Sequence, residues 1–227
     1  MKALHISKKE LAKMIDSTEV RATATRNEIE ALCKEAFHYG IGCVCVNPVH
    51  VKTAADLLKG SSVRLCSTVG FPFGTSLPDT KALEAIKAIE DGADELDIVI
   101  NLSALKSGDY EAVKQDIRAV VDAKGLSEEI VIKVIIETAQ LTPSEKLFAC
   151  RLAKEAGADF VKTSTGFFGG GATVEDVRLM RQAVGRDIGV KAAGGIRTYA
   201  EALAMIEAGA NRIGTSSAAA ILREAPR

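Results

Sequence analysis

No stretch of this sequence approaches the roughly 20 consecutive apolar residues that a membrane-crossing helix needs. The opening MKALHISKKELAKMIDST also has no apolar core of signal-peptide length. The expectation is a soluble cytoplasmic protein with no membrane partner. An excess of charge of one sign is equally missing, since 29 Lys and Arg stand against 30 Asp and Glu, a formal net charge of -1. Without a sequence-wide basic field, nucleic acid is excluded as the main partner. Among the five cysteines, Cys33, Cys43, Cys45, Cys66 and Cys150, there is no CxxC pair, and their number is odd. That argues against a disulfide framework or a zinc knuckle, and for reduced thiols packed inside. His5, His38 and His50 form neither HxxxH nor HxH, so no histidine-built metal site is expected. There is also no early GxGxxG turn of the kind a dinucleotide-binding sheet requires.

What is present is a chain of 227 residues, 47% hydrophobic, which excludes a disordered class and allows a large core. Short β-branched runs alternate with longer segments of helical period. The runs are MIDST (14–18), IGCVCV (41–46), VRLCSTV (63–69), ELDIVI (95–100), IVIKVII (130–136), DFVKTS (159–164), IGVKAA (188–193) and RIGTSS (212–217). Between them, segments such as TRNEIEALCKEAFHYG and PSEKLFACRLAKEAG place apolar residues three and four apart, the mark of amphipathic helices. Thr25 with Glu28, Thr142 with Glu145, Thr173 with Asp176 and Thr198 with Glu201 have the spacing of a capping box or its Asp variant. Nearly continuous apolar strands separated by helices imply a parallel sheet covered on both faces. Eight such units, at about 28 residues each, predict closure into a single-domain (β/α)8 TIM barrel over residues 1–227, near the compact limit for that fold.

An internal repeat selects residues within the barrel. YGIGCVC, DGADELD, AGADFVK and AGANRIG each carry a helix-ending Gly followed by a strand. Five residues past that Gly stand Cys45, Asp97, Lys162 and Gly214. Because a strand alternates faces at every residue, equal offsets predict one face and one height for all four, inside the barrel. A charged Asp and Lys placed there are costly unless paired or used. Lys191 interrupts an apolar run in the same way just before Gly194-Gly195, while Lys133 lies nearer the middle of its strand. The competing reading for each lysine is an ion pair that fills a barrel layer.

Two lysines on neighbouring strands repel as ammonium ions, which favours a free amine on one of them. Such an amine attacks carbonyls to form an imine, and the imine draws electrons from a breaking carbon–carbon bond without a metal or organic cofactor. Asp97 then serves to move protons. The loops after the sixth, seventh and eighth strands carry Gly166 to Gly171, Gly194-Gly195 and Gly214-Thr215-Ser216-Ser217. Glycine-rich loops at these places suit a phosphate on the substrate. Two other readings remain: a sugar-phosphate isomerase or epimerase working through carboxylates or histidine, and a non-catalytic barrel binding a phosphorylated metabolite or a protein.

The motifs CVCVNP, DELDIVIN, KVIIET, GADFVKTSTGF, VKAAGGIRT and RIGTSS occur in this order between Asp16 and Ser217. In this the chain resembles the class I, Schiff-base deoxyribose-phosphate aldolases. The resemblance implies reversible cleavage of 2-deoxy-D-ribose 5-phosphate to acetaldehyde and D-glyceraldehyde 3-phosphate, and a homodimer or homotetramer. It implies Lys162 as the imine-forming lysine, Lys191 as its perturbing neighbour and Asp97 as the proton relay. Gly166, Gly194, Gly195, Ser216 and Ser217 match positions that hold phosphate, and Asp16, Thr18 and Cys45 match positions that line the pocket. The chain departs from the pattern at IDSTEVRATAT, and at Phe167, where some members place a phosphate-contacting lysine. Greater reliance on backbone amides and helix dipoles is therefore expected at Phe167. The ending LREAPR lacks the tyrosine-ended tail of some members, so no proton shuttle through such a tail is expected.

Overall fold

A computed structural model describes residues 6–126 and 129–226. Eight parallel strands hydrogen-bond in sequence order and close on themselves, β1 pairing with both β2 and β8. They are β1 (Ile15–Glu19), β2 (Cys43–Val46), β3 (Arg64–Val69), β4 (Glu95–Val99), β5 (Val131–Ile135), β6 (Phe160–Lys162), β7 (Gly189–Ala193) and β8 (Arg212–Thr215). The helices around them are α1 (Lys8–Met14), α2 (Arg26–Tyr39), α3 (Val51–Leu58), α4 (Pro78–Glu90), α5 (Leu102–Lys106), α6 (Tyr110–Asp122), α7 (Pro143–Glu155), α8 (Val174–Val184), α9 (Tyr199–Glu207) and α10 (Ala218–Glu224). The barrel expected from the strand and helix pattern is thus the fold. No helix among the described residues is long and apolar enough to cross a membrane.

Local chemistry sets the helix starts. Thr25, Thr142 and Thr198 each accept from the amide three residues on, while Glu28, Glu145 and Glu201 reach back to the cap amide, satisfying two orphan donors at once. Thr173 caps α8 in one direction only. Asp176 is a methylene shorter than Glu, and its carboxylate is held instead by Lys146 at 2.5 Å. Short α1, α3 and α5 are helices that the periodic pattern did not reveal, because seven, eight and five residues give too few turns for a stripe.

Outward-facing strand residues such as Val44, Leu65, Leu96, Ile132, Val161, Val190 and Ile213 pack under the helices in one continuous apolar core. Each fully buried aliphatic side chain of this kind contributes about 1.5–3 kcal/mol. The barrel interior has a different character. Apart from Val99, Val131, Ile135, Phe160 and the Cys43, Cys45 and Cys66 cluster, it is built from polar and charged side chains, glycine and alanine.

Candidate active site

Strand register orders this polar interior. Cys45 pairs with Cys66, Cys66 with Glu95, Asp97 with Lys133, Lys133 with Phe160, and Lys162 with Lys191. Eight strands with a barrel shear of about eight stagger by roughly one residue per strand, so a horizontal layer draws on alternate strands. Cys45, Asp97, Lys162 and Gly214 then form one layer, the four positions marked by the repeated helix-ending glycine. Directly beneath lies a layer of Asp16, Cys66, Lys133 and Lys191, and below that one of Cys43, Glu95, Phe160 and Arg212. Thr18, Thr68, Ile135 and Ala193 cap the stack at the C-terminal end of the strands. Gly214 has a packing reason to be glycine, since a Cβ there would stand 3.0 Å from Lys191 Cε.

Asp97 is the hub. Its Oδ2 accepts from Lys162 Nζ at 2.6 Å and from Lys191 Nζ at 2.7 Å, and its Oδ1 accepts from Lys133 Nζ at 2.8 Å and Cys66 Sγ at 3.1 Å. Lys191 has a second carboxylate, Asp16, at 2.5 Å. Lys133 reaches Glu95 at 2.7 Å and Asp16 at 3.7 Å as well as Asp97. Arg212 closes the network from below, on Glu95 at 2.5 Å and Asp16 at 3.2 Å. Burial opposes the charges of Asp97, Lys133 and Lys191, but the partners prevail. Lys133, Lys162 and Lys191 hold the Asp97 carboxyl well below the usual carboxylate range, while Asp16 and Asp97 hold the Lys191 ammonium above the ordinary lysine range. Lys133 is raised by Asp97, Glu95 and Asp16 in the same way.

Three carboxylates (Asp16, Glu95, Asp97) thus face four interior cations (Lys133, Lys162, Lys191, Arg212), and the partly exposed Arg64 adds a fifth on Glu95 at 2.9 Å. Lys133 has three carboxylate partners, Lys191 two, and Lys162 one. Lys162 is also the only interior lysine in the pocket wall, at 4% exposure against none for Lys133 and Lys191. Lys162 and Lys191, on neighbouring strands, share one Asp97 oxygen.

Above this layer opens a cavity of about 290 Å³, at the small end for ligand sites. Thr18, Lys162, Gly166, Gly194, Gly195 and Ser216 line it, as expected. Three residues expected there do not. Asp16 and Cys45 are fully buried outside the wall: Asp16 belongs to the layer beneath Lys162 and is engaged by Lys191, while Cys45, level with Lys162, turns its thiol toward Asp97 in a long 3.9 Å contact. Ser217 stands at the start of α10 with its amide spent on Thr215 Oγ1 at 2.9 Å. The side chain at the expected lysine position is indeed apolar: Phe167 is half-exposed, edge-on to Phe71 at 5.3 Å. Cationic charge nevertheless reaches the wall through Arg197 and Arg21, so amides and dipoles are not the sole resource. Arg21 is already paired, to Glu19 at 2.5 Å and Glu28 at 2.6 Å. The Arg197 guanidinium is exposed and makes no ion pair among the described residues. Arg197 belongs to the VKAAGGIRT motif and Thr165 to GADFVKTSTGF, whereas Arg21, Thr68 and Phe71 carried no sequence signal.

Two donor sets that sequence spacing concealed also meet in the interior: Cys45, Cys66 and Asp97, and Asp16, Cys43 and Glu95. Lys133, Lys162, Lys191 and Arg212 point into the same space and engage the carboxylates, so the donors suit ammonium groups rather than a resident metal ion. His38 lies on α2 and His50 in the single turn just before α3, both outside the cavity wall. His5 falls outside the described residues.

Comparison with known proteins is consistent with this geometry. The chain matches the DeoC/LacD family aldolase over residues 10–224. It is 58% identical over 223 residues to the deoxyribose-phosphate aldolase of Thermococcus kodakarensis, covering 97% of this chain and 99% of that one. With the deoxyribose-phosphate aldolase of Thermoanaerobacter sp. (strain X514) it shares 56% identity over 214 residues, 94% of this chain and 96% of the relative. Among solved structures, a putative deoxyribose-phosphate aldolase from Coccidioides immitis superposes with a TM-score of 0.92 at 43% identity, covering 97% of this chain and 87% of that one. The deoxyribose phosphate aldolase from Aeropyrum pernix, described as having a unique tetrameric structure, gives a TM-score of 0.89 at 37% identity, covering 96% and 91%.

Proposed function

We propose that this chain, which belongs to the DeoC/LacD family of aldolases, cleaves 2-deoxy-D-ribose 5-phosphate reversibly to acetaldehyde and D-glyceraldehyde 3-phosphate through an imine on Lys162. The observation that carries the assignment to Lys162 is its placement: it is the interior lysine that reaches the cavity, and the one with the fewest carboxylates holding it. Its free amine adds to the C1 aldehyde of the open-chain sugar, and water leaves to give the iminium. Removal of the C3 hydroxyl proton lets the C2–C3 bond break, its electron pair flowing into the iminium to give an enamine, while C3 becomes the aldehyde of glyceraldehyde phosphate. Protonation at C2 and hydrolysis then free acetaldehyde and the lysine.

Asp97 touches Lys162 and Lys191 through one oxygen, so a proton lost by one amine has a path to the other. Lys191, held charged by Asp16 and Asp97, keeps positive potential beneath the reacting carbon. Gly166, Gly194, Gly195 and Ser216 offer backbone amides to the phosphate, and Arg197 adds a full charge beside them.

Acetaldehyde followed by borohydride tests the assignment. Irreversible ethylation of Lys162, mapped by peptide mass, with loss of activity is the expected outcome; an unmodified and fully active protein would refute it. A homo-oligomer is part of the same proposal, supported by the tetrameric relative. So is a reducing, cytoplasmic setting, which the five free buried cysteines suit.

A further inference from the structure

Glu137, two residues past the end of β5, has a backbone conformation that a residue with a side chain seldom adopts. Its φ is 54°, the only positive value among the described residues other than glycine. Non-glycine residues persist in this region where surrounding contacts over-determine them, and such positions cluster at functional sites. The contacts are visible. Glu137 is fully buried, makes no ion pair among the described residues, and leaves Oε1 without a hydrogen-bond partner. Its Oε2 accepts from the Thr165 amide at 2.9 Å and from Thr165 Oγ1 at 2.5 Å. A buried carboxylate spent on a single threonine is costly unless that threonine's orientation matters.

Thr165 belongs to the cavity wall, between Lys162 and the Gly166 loop. Its hydroxyl has one proton and two lone pairs. The proton goes to Glu137, and one lone pair accepts from the Phe167 amide at 3.1 Å. What is left for the cavity is a single lone pair, so Thr165 acts there as an acceptor only.

We propose that Glu137 is a positioning residue that fixes the Thr165 hydroxyl as an obligate acceptor and thereby selects a substrate hydroxyl between the imine carbon and the phosphate. Resting on the aldolase reading above, the group selected is the C4 hydroxyl of the sugar phosphate, which is the α-hydroxyl of the acceptor aldehyde in the synthetic direction. The C3 oxygen is the one that becomes a carbonyl, which leaves C4 as the donor that persists through the reaction. A site built around such a hydrogen bond discriminates strongly against an analogue lacking the hydroxyl.

The experiment compares acetaldehyde addition to D-glyceraldehyde 3-phosphate and to 3-oxopropyl phosphate, which lacks the hydroxyl. The wild type should favour the hydroxylated acceptor by at least tenfold in kcat/KM. Glu137→Gln replaces an acceptor by an amide whose N–H can donate to Thr165, turning the hydroxyl proton toward the cavity, and should cut that preference about tenfold. Borohydride trapping of the acetaldehyde imine should stay within about twofold of wild type. Thr165→Val should lose the preference likewise, and Glu137→Gln should add nothing in that background, since the two residues act as one unit. Equal loss with both acceptors in Glu137→Gln, or a wild-type preference in Thr165→Val should the first variant fail to fold, would overturn the proposal. Failure of acetaldehyde to label the wild type would instead count against the aldolase reading itself.

Discussion

Replacing Asp97 by Asn keeps the shape of the hub and removes its charge. Both carboxylate oxygens are in use, with three ammonium groups at 2.6 to 2.8 Å. After substitution Asp16 and Glu95 alone would face Lys133, Lys162, Lys191 and Arg212, with Glu95 already shared with Arg64, and an amide N–H2 would be aimed at an ammonium donor. Breaking a buried pair in this way costs about 3–5 kcal/mol. In a chain of this size each kcal/mol lowers the melting temperature by about 2–4 °C, so Asp97→Asn should melt roughly 6–20 °C below wild type at pH 7.

The pH dependence gives the sharper test. In the wild type the Asp97 carboxyl is depressed, so its contribution is present above its unfolded value of about 3.9 and lost as pH falls below it. Lys133 and Lys191 are raised, so theirs is present below about 10.4 and lost as pH climbs past their folded values. Between these limits the three groups give a flat profile. In Asp97→Asn the over-charged interior depresses a lysine in the folded state. The unfolded chain then binds more protons, and stability rises with pH by up to about 1.4 kcal/mol per pH unit. Thermal melts followed by circular dichroism at pH 7 and pH 10 should show the gap to wild type narrowing. A variant within about 1 kcal/mol of wild type at pH 7, or a gap unchanged at pH 10, would refute the network's charge accounting.

Two further outcomes follow from the geometry. Arg197→Ala should raise KM for deoxyribose 5-phosphate by roughly 10- to 100-fold, the worth of a charge-assisted hydrogen bond, with kcat little changed and no effect on unphosphorylated deoxyribose, as steady-state assays on the two sugars would show. Gly74→Ala forces a side chain onto a backbone with φ of 69° and sets its Cβ 2.0 Å from Ile100 O, so a loss of about 3 kcal/mol is expected; Gly60→Ala, at φ 81° with nothing within 4 Å, should cost only the backbone strain of about 1–2 kcal/mol, and paired melts would separate the two.

The parts of the fold readable in one dimension are those governed by neighbours in the chain. Amphipathic period set α2, α4, α6, α7, α8 and α9, and the threonine–glutamate pairs marked three of their starts within a residue. The repeated helix-ending glycine did more, because a fixed distance from helix exit to strand position converts sequence spacing into height. It identified the layer of Cys45, Asp97, Lys162 and Gly214 before any coordinate. Lys191 was legible for the same local reason, a charge interrupting an apolar run beside two glycines.

Closure of the barrel decided the rest. Lys191 meets Asp97 across 94 positions of sequence and Arg212 meets Glu95 across 117, separations at which no periodic signal survives. The stagger of the strands put Asp16 below the floor rather than in the wall, and turned Lys133 from a candidate into a filled position of the ion network. It also brought Glu137 against Thr165, a pairing that depends on one backbone torsion. The amino-acid sequence by itself determined the strands, the helices and the charged positions that face inward, since these follow from local geometry repeated eight times. Which lysine touches the cavity, and which carboxylates hold the others, was decided only when the first strand closed on the last and fixed the height of each side chain.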